Sequence, residues 1–209
     1  MNIGVLGGTF DPVHIGHLIV AEEARVRLGL EEVLFVPAGQ PWQKQGSGIT
    51  PAYHRVEMVR LAIAGNRHFR LCVNEAERPG PSYSVDTMLE LRKQLGSEAG
   101  LFFILGRDAL GDLHRWKEPE RLIQLCQLVV AHRRSEKQDE GSVSGDLEHL
   151  EAAIPGLRHR VIELDMPLIE VSSSGIRERI GQGLSIRYLV PEGVEQYIAE
   201  QGLYLRPAG

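Results

Sequence analysis

The chain has little cysteine: Cys72 and Cys126 are the only two in 209 residues. Each stands alone inside an apolar run. No disulfide framework follows from them, and both read as buried free thiols, as in a reducing cytoplasm. Long apolar runs are also missing. No stretch approaches the roughly 18 residues that a membrane helix needs. The N-terminus has no basic segment followed by a long apolar core, so we expect no secretory leader and no membrane partner. Basic charge is not in excess, because 23 Lys and Arg face 28 Asp and Glu, for a formal net charge of -5. That argues against a nucleic-acid partner, which calls for a basic face. It leaves anion binding open, since a phosphate site needs only a local set of donors. Internal repeats are absent.

What is present is ordinary globular composition, 43% hydrophobic and 24% charged, in a length that suits one well-buried domain. We expect a single domain over 1–209, with 172–209 a C-terminal helical portion. Apolar runs of strand length alternate with helical spacing. Strands are expected at Ile3–Leu6, Val33–Val36, Phe69–Val73, Leu101–Leu105, Leu128–Ala131 and Val161–Leu164. Helices are expected at Ile15–Leu28, from Pro51 to about Ala64, at Ser84–Leu95, from Ser172, and at Glu192–Glu200. This alternation predicts an α/β fold with right-handed crossovers and a mostly parallel sheet. Ligands of such sheets bind at the carboxyl ends of the strands. The polar stretch RRSEKQDEGSVSGD at 133–146 reads as a mobile surface loop.

The first strand runs into Gly7-Gly8-Thr9-Phe10-Asp11-Pro12-Val13-His14-Ile15-Gly16-His17. Glycines let the backbone turn tightly and approach a ligand. N–H groups at the following helix start can hold an anion. Two imidazoles three residues apart can donate to one phosphoryl group and, if protonated, offset its charge. On these residues alone three other readings stay open. The glycines do not fit G-x-G-x-x-G, and VPAG stands where a dinucleotide fold has an acidic residue. A His-x-x-His metal site would need a third ligand, and no cysteine is near. The pair can also be incidental to a strand-turn-helix corner.

Four further segments bear on the choice. VSSSGIRERI (171–180) offers a serine-capped helix start with Arg177 one turn in, suited to a second phosphate. PAGQPWQK (37–44) places Lys44 on a proline-marked loop that can close over phosphate. In ERPGPSYSVDT (77–87), Gly80-Pro81 forces a turn, and Ser82-Tyr83-Ser84 is expected to cap a helix and hold a small carboxylate. After the fourth strand, Asp108 can accept from a ribose hydroxyl, and Trp116 can stack on a flat heterocycle or pack in the core.

GTFDPVHIGH resembles the signature of the T/H-x-G-H nucleotidyltransferase superfamily. Its doubled glycine and His14 resemble the nicotinate-nucleotide adenylyltransferase branch. VSSSGIR is similar to that superfamily's I-S-S-T-x-I-R, with Val171 for isoleucine and Ser174 for threonine. Lys44 matches a P-x-x-K segment in which Gln43 replaces the usual histidine. RPGPSYSVDT resembles R-x-G-x-S-Y-T-x-D-T, with Ser84 for threonine. Gly106, Asp108, Leu113 and Trp116 match a further pattern.

The resemblance spans residue 3 to about residue 180. It implies a Rossmann-like nucleotidyltransferase fold with helices on both faces of the sheet. The implied reaction joins ATP and nicotinate mononucleotide to give nicotinate adenine dinucleotide and pyrophosphate. It implies catalytic roles for His14, His17, Lys44 and Arg177. ATP contacts would come from Gly7, Gly8, Thr9, Phe10, Gly106, Asp108, Ser173, Ser174 and Ile176. Ser82, Tyr83, Ser84 and Trp116 would hold the nicotinate nucleotide. Mg2+ would arrive with ATP, with no metal site of the protein's own. Nicotinamide mononucleotide or phosphopantetheine as acceptor, a non-catalytic nucleotide-binding role, and a homo-oligomer stay open.

Overall fold

The structure is a computed structural model that describes residues 1–41, 48–133, 143–167 and 169–205. In chain order its elements are β1 (Asn2–Gly8), α1 (Ile15–Leu28), β2 (Glu32–Pro37), β3 (Gln40–Pro41), α2 (Ala52–Ile63), β4 (Phe69–Leu71), α3 (Asn74–Glu77), β5 (Pro81–Ser82), α4 (Ser84–Leu95), β6 (Gly100–Gly106), α5 (Arg107–Gly111), α6 (Pro119–Leu125), β7 (Gln127–Arg133), α7 (Val143–Glu151), β8 (Val161–Met166), α8 (Ser173–Gly181) and α9 (Glu192–Glu200). Short 3-10 turns occupy Leu113–Arg115 and Leu157–Arg160.

Six strands form one mostly parallel sheet in the order β4-β2-β1-β6-β7-β8. The pairs β1–β6, β6–β7 and β7–β8 are parallel, with Val5 opposite Phe103 and Ile104 opposite Val129. Chain order reverses at β1, which has β2 on one side and β6 on the other. In open α/β sheets that reversal is where ligands bind, beyond the strands' carboxyl ends.

By its contacts the chain divides into two compact units. The first comprises Met1–Gly7, Val20–Leu34 and Tyr83–Leu168. Its core is the sheet centre, where Ile3, Val5, Phe103, Ile104, Leu128 and Val129 are buried. Strands covered on both faces read as unbroken apolar runs, and LFFIL and LVVA do so. Gly4 allows the close packing here: a Cβ would lie 2.9 Å from Leu30 and 3.2 Å from Ile104. Gly29, at φ +61, stops α1, and the Leu30 N–H donates to the Arg25 carbonyl. Helices α4 and α6 pack together, and Arg92 donates to the carbonyls of Ala99 and Leu125.

The second unit comprises Gly8–Ile19, Phe35–Ser82 and Ile169–Gly209. Helices α2 and α9 pack together, with Met58, Val59, Val194 and Ile198 buried and His54 Nδ1 2.8 Å from the Tyr197 hydroxyl. β3 and β5 pair in parallel, Gln40 with Pro81 and Pro41 with Ser82.

Three expectations are corrected. The polar stretch 133–146 is not a loop throughout. Residues 143–146 begin α7, whose Val143, Leu147 and Leu150 are buried. Arg133 ends β7, and 134–142 lie outside the described residues. Cys126 is buried as expected, and burial pushes its thiol up to about 12, but Cys72 is only half-buried. The helix at Ser84 is not capped by serine. Tyr83 stands at the cap position and makes no side-chain capping bond.

Candidate active site

β1 ends at Gly8 and α1 begins at Ile15, so the intervening loop presents His14 just before the helix and His17 in its first turn. Phe10 shapes this loop. Its backbone takes a left-handed φ of 50°, and its buried ring packs 5.9 Å from Phe35 and edge-on at 5.0 Å from His17. The missing side chain of Gly8 makes room for that ring, since a Cβ there would meet it at 3.1 Å.

The imidazoles of His14 and His17 stack with centroids 3.8 Å apart. The His14 backbone N–H donates to Nδ1 of His17 at 3.2 Å. Nδ1 is therefore the acceptor, and the neutral His17 ring carries its proton on Nε2. His14 is 7% exposed, and its Nδ1 has no hydrogen-bond partner among the described residues. Burial lowers its pKa to about 4. The condition under which both rings would offset charge is not met at His14, which is neutral at neutral pH and offers an N–H, not a cation.

The loop is held from several directions within its unit. Asp11, 5% exposed, accepts the Tyr204 hydroxyl on Oδ1 at 2.7 Å and the Thr50 N–H on Oδ2 at 3.3 Å. Its carbonyl accepts from Arg177 at 2.7 Å. The Ser173 hydroxyl donates to the Pro12 carbonyl at 2.9 Å, and the Ile15 N–H donates to the Leu189 carbonyl at 3.0 Å. Arg55 is 1% exposed and donates to four carbonyls: Thr9, Ala38, Gly39 and Thr50, all between 2.6 and 2.9 Å. Burial draws its pKa down, opposed by the Asp11 charge.

At α8, the Ser172 Oγ accepts from the Gly175 N–H at 3.1 Å, as the expected cap. The N–H groups of Ser173 and Ser174 lie in the first turn, where no intrahelical acceptor exists. Ile176 is buried in the same helix. The structure thus brings Gly8, Thr9, Phe10, His14, His17, Ser173 and Arg177 into one hydrogen-bonded and packed neighbourhood. Ser82 belongs to the same unit, but its Oγ accepts from the N–H groups of Gly39 and Gln40. Lys44 lies outside the described residues.

The remaining expected residues fall in the first unit. Gly7 faces the Phe103 ring, which a Cβ would meet at 3.5 Å. Gly106 ends β6, and Asp108 lies in the first turn of α5. Ser84 opens α4 beside Tyr83, whose ring lies 4.9 Å from Lys117 Nζ. Lys117 also holds both Asp86 oxygens at 2.9 Å. Trp116 is half-buried and edge-on to Phe103, and its indole nitrogen is buried with no hydrogen-bond partner among the described residues. No cluster of three or more His, Cys, Asp or Glu side chains among the described residues is placed to hold a metal.

Asp11, Thr50, Arg55 and Tyr204 are the residues that the sequence reading missed. One signal was available for Arg55. It shares a helical face with Met58, Val59 and Ile63, and an arginine on an apolar face needs internal partners.

Comparison with known proteins bears on this site. A family model described as cytidylyltransferase-like matches residues 5–179. A "Probable nicotinate-nucleotide adenylyltransferase" of Dehalococcoides mccartyi is 46% identical over 99% of this chain and 98% of its own length. One of the same name from Thermomicrobium roseum is 47% identical over 97% and 91%. Among solved structures, Plasmodium falciparum nicotinic acid mononucleotide adenylyltransferase complexed with NaAD aligns with a TM-score of 0.73. That match is 21% identical and covers 97% of each chain.

Proposed function

Because the chain belongs to the cytidylyltransferase-like family, in its nicotinate-nucleotide adenylyltransferase branch, we propose that it transfers the adenylyl group of ATP to nicotinate mononucleotide. The products are nicotinate adenine dinucleotide and pyrophosphate, in NAD biosynthesis. A phosphate oxygen of the mononucleotide attacks the α-phosphorus of ATP. One P–O bond forms at the α-phosphorus as its bond to the α,β-bridging oxygen breaks, and that oxygen leaves with pyrophosphate. The attacking oxygen is already anionic, so no general base and no covalent enzyme intermediate are required. Catalysis is then positioning and charge stabilisation.

The observation that carries this reading is the stacked histidine pair on its braced loop. His17, with its Nδ1 occupied by the His14 backbone N–H, offers Nε2–H to the α-phosphate. His14 adds a neutral donor. Arg177 spends one contact on the Asp11 carbonyl, and its guanidinium has further N–H donors for the departing pyrophosphate. The N–H groups of Ser173 and Ser174, and Lys44, serve the same anion. Gly7, Gly8, Thr9, Phe10, Gly106, Asp108 and Ile176 are assigned to ATP. Ser82, Tyr83, Ser84 and Trp116 are assigned to the nicotinate nucleotide. ATP enters as its magnesium complex. We take 1–209 as one catalytic domain, with 172–209 its C-terminal helical portion. No helix among the described residues is long and apolar enough to cross a membrane, and we place the protein in the cytoplasm.

The test is pyrophosphate release from magnesium ATP, with nicotinate mononucleotide, nicotinamide mononucleotide and phosphopantetheine supplied in parallel. The proposal expects a kcat/KM for the nicotinate form far above the others. Turnover with phosphopantetheine alone would refute it. ATP binding without release under any acceptor would point to a non-catalytic role.

A further inference from the structure

Asp11 is a buried carboxylate with two neutral donors, Tyr204 O–H at 2.7 Å and Thr50 N–H at 3.3 Å. Arg55, the buried cation of the same unit, spends its hydrogen bonds on carbonyls. Two of those carbonyls belong to Thr9 and Thr50, residues of the backbone that surrounds Asp11 in the chain or donates to it. Arg55 favours the Asp11 charge through space, but the hydrogen bonds to the carboxylate come from the Thr50 N–H and the Tyr204 hydroxyl, and the Tyr204 bond is the shorter. Burial and the bond to Asp11 push that hydroxyl well above the ordinary phenol range, so it keeps its proton. Asp11 lies three residues before His14, and its own carbonyl accepts from Arg177.

We propose that Tyr204 is a positioning residue for the reaction: its hydroxyl, acting through Asp11, sets the turn that presents His14 and His17 and the guanidinium of Arg177. It touches no reacting atom. Removing the hydroxyl leaves Asp11 Oδ1 without its donor at a site water reaches poorly, and such a carboxylate moves toward solvent or a new partner. Any such movement passes along the backbone to His14 in one direction. Through the Asp11 carbonyl it passes to Arg177 in the other. The catalytic assignment of those residues is the reading given above, on which this inference rests.

The experiment is Tyr204→Phe, which keeps the ring and deletes the oxygen. It combines steady-state kinetics, thermal unfolding and 15N NMR of the His17 ring in the full chain. We expect kcat to fall about tenfold, on the scale of one hydrogen bond to a buried charge. KM for ATP should move less than about threefold, and the His17 nitrogen shifts should change. An unaltered kcat overturns the proposal, as does a loss that only tracks the unfolded fraction. If the wild-type chain makes no dinucleotide, the functional reading fails on its own account. The His17 shifts then decide this inference, and identical spectra overturn it. If Tyr204→Phe does not fold, Asp11→Asn, which can satisfy only one of the two donors, is read by the same measurements.

Discussion

Acidification should weaken this protein, and a separable part of the loss should come from one side chain, His14. In the unfolded chain its imidazole takes up a proton near 6.5, but in the folded protein burial delays that to about 4. Between those values the unfolded state holds more protons, so stability rises with pH across the window and is complete above about 6.5. As pH falls through the same window the contribution is lost, and below about 4 no more remains to lose. At about 1.4 kcal/mol for each tenfold change, the gap corresponds to roughly 3 kcal/mol. Carboxylates also titrate in acid, so the wild-type curve alone does not isolate the effect. His14→Gln removes the titrating ring and keeps a polar group of similar reach. Urea unfolding of both proteins should be followed at intervals from about pH 7 to about pH 4. The wild type should lose roughly 3 kcal/mol more than the variant over that span. Parallel curves would refute the reasoning. So would an NMR titration that places the His14 ring near its ordinary value in the folded state.

Two other perturbations follow from the same geometry. His17→Ala should lower kcat by about a hundredfold or more, as removal of a transition-state donor does, with circular dichroism unchanged; near-normal turnover would sink the mechanism. Arg55→Leu strips four carbonyls of a buried donor and should cost on the order of 3–5 kcal/mol, seen as a lower urea midpoint; a midpoint unchanged within error would refute its bracing role.

The elements that were legible in the sequence are those whose pattern is long enough to repeat. α1, α4 and α9 begin and end where their apolar spacing and flanking residues place them. The buried strands were legible because a parallel sheet covered on both faces demands unbroken apolar runs. Short elements escaped for the converse reason. α3 has four residues, α5 has five, and β3 and β5 have two each, too short for any pattern to repeat. α7 was hidden because Ser144, Gly145 and Asp146 of its first turn continue a polar stretch.

The site divides the same way. The histidines, Arg177 and the serine cap were legible because their chemistry is written in adjacent letters. Their support was not. Tyr204 meets Asp11 across 193 positions, and Arg55 binds backbone oxygens, which every residue possesses. The protonation of His14 was also invisible, because it depends on how deeply the ring is buried and not on which residues adjoin it.

The holding of the histidine loop has a consequence in time. Ser173, Arg177 and Tyr204, which secure Asp11 and Pro12, lie 161, 166 and 193 positions from the residues they hold, and Leu189 accepts from Ile15 at a similar remove. Contacts so distant along a chain close late in folding, after local helices and turns have formed. A partly folded chain would therefore carry every signature of the site and lack the fixed geometry that makes it one.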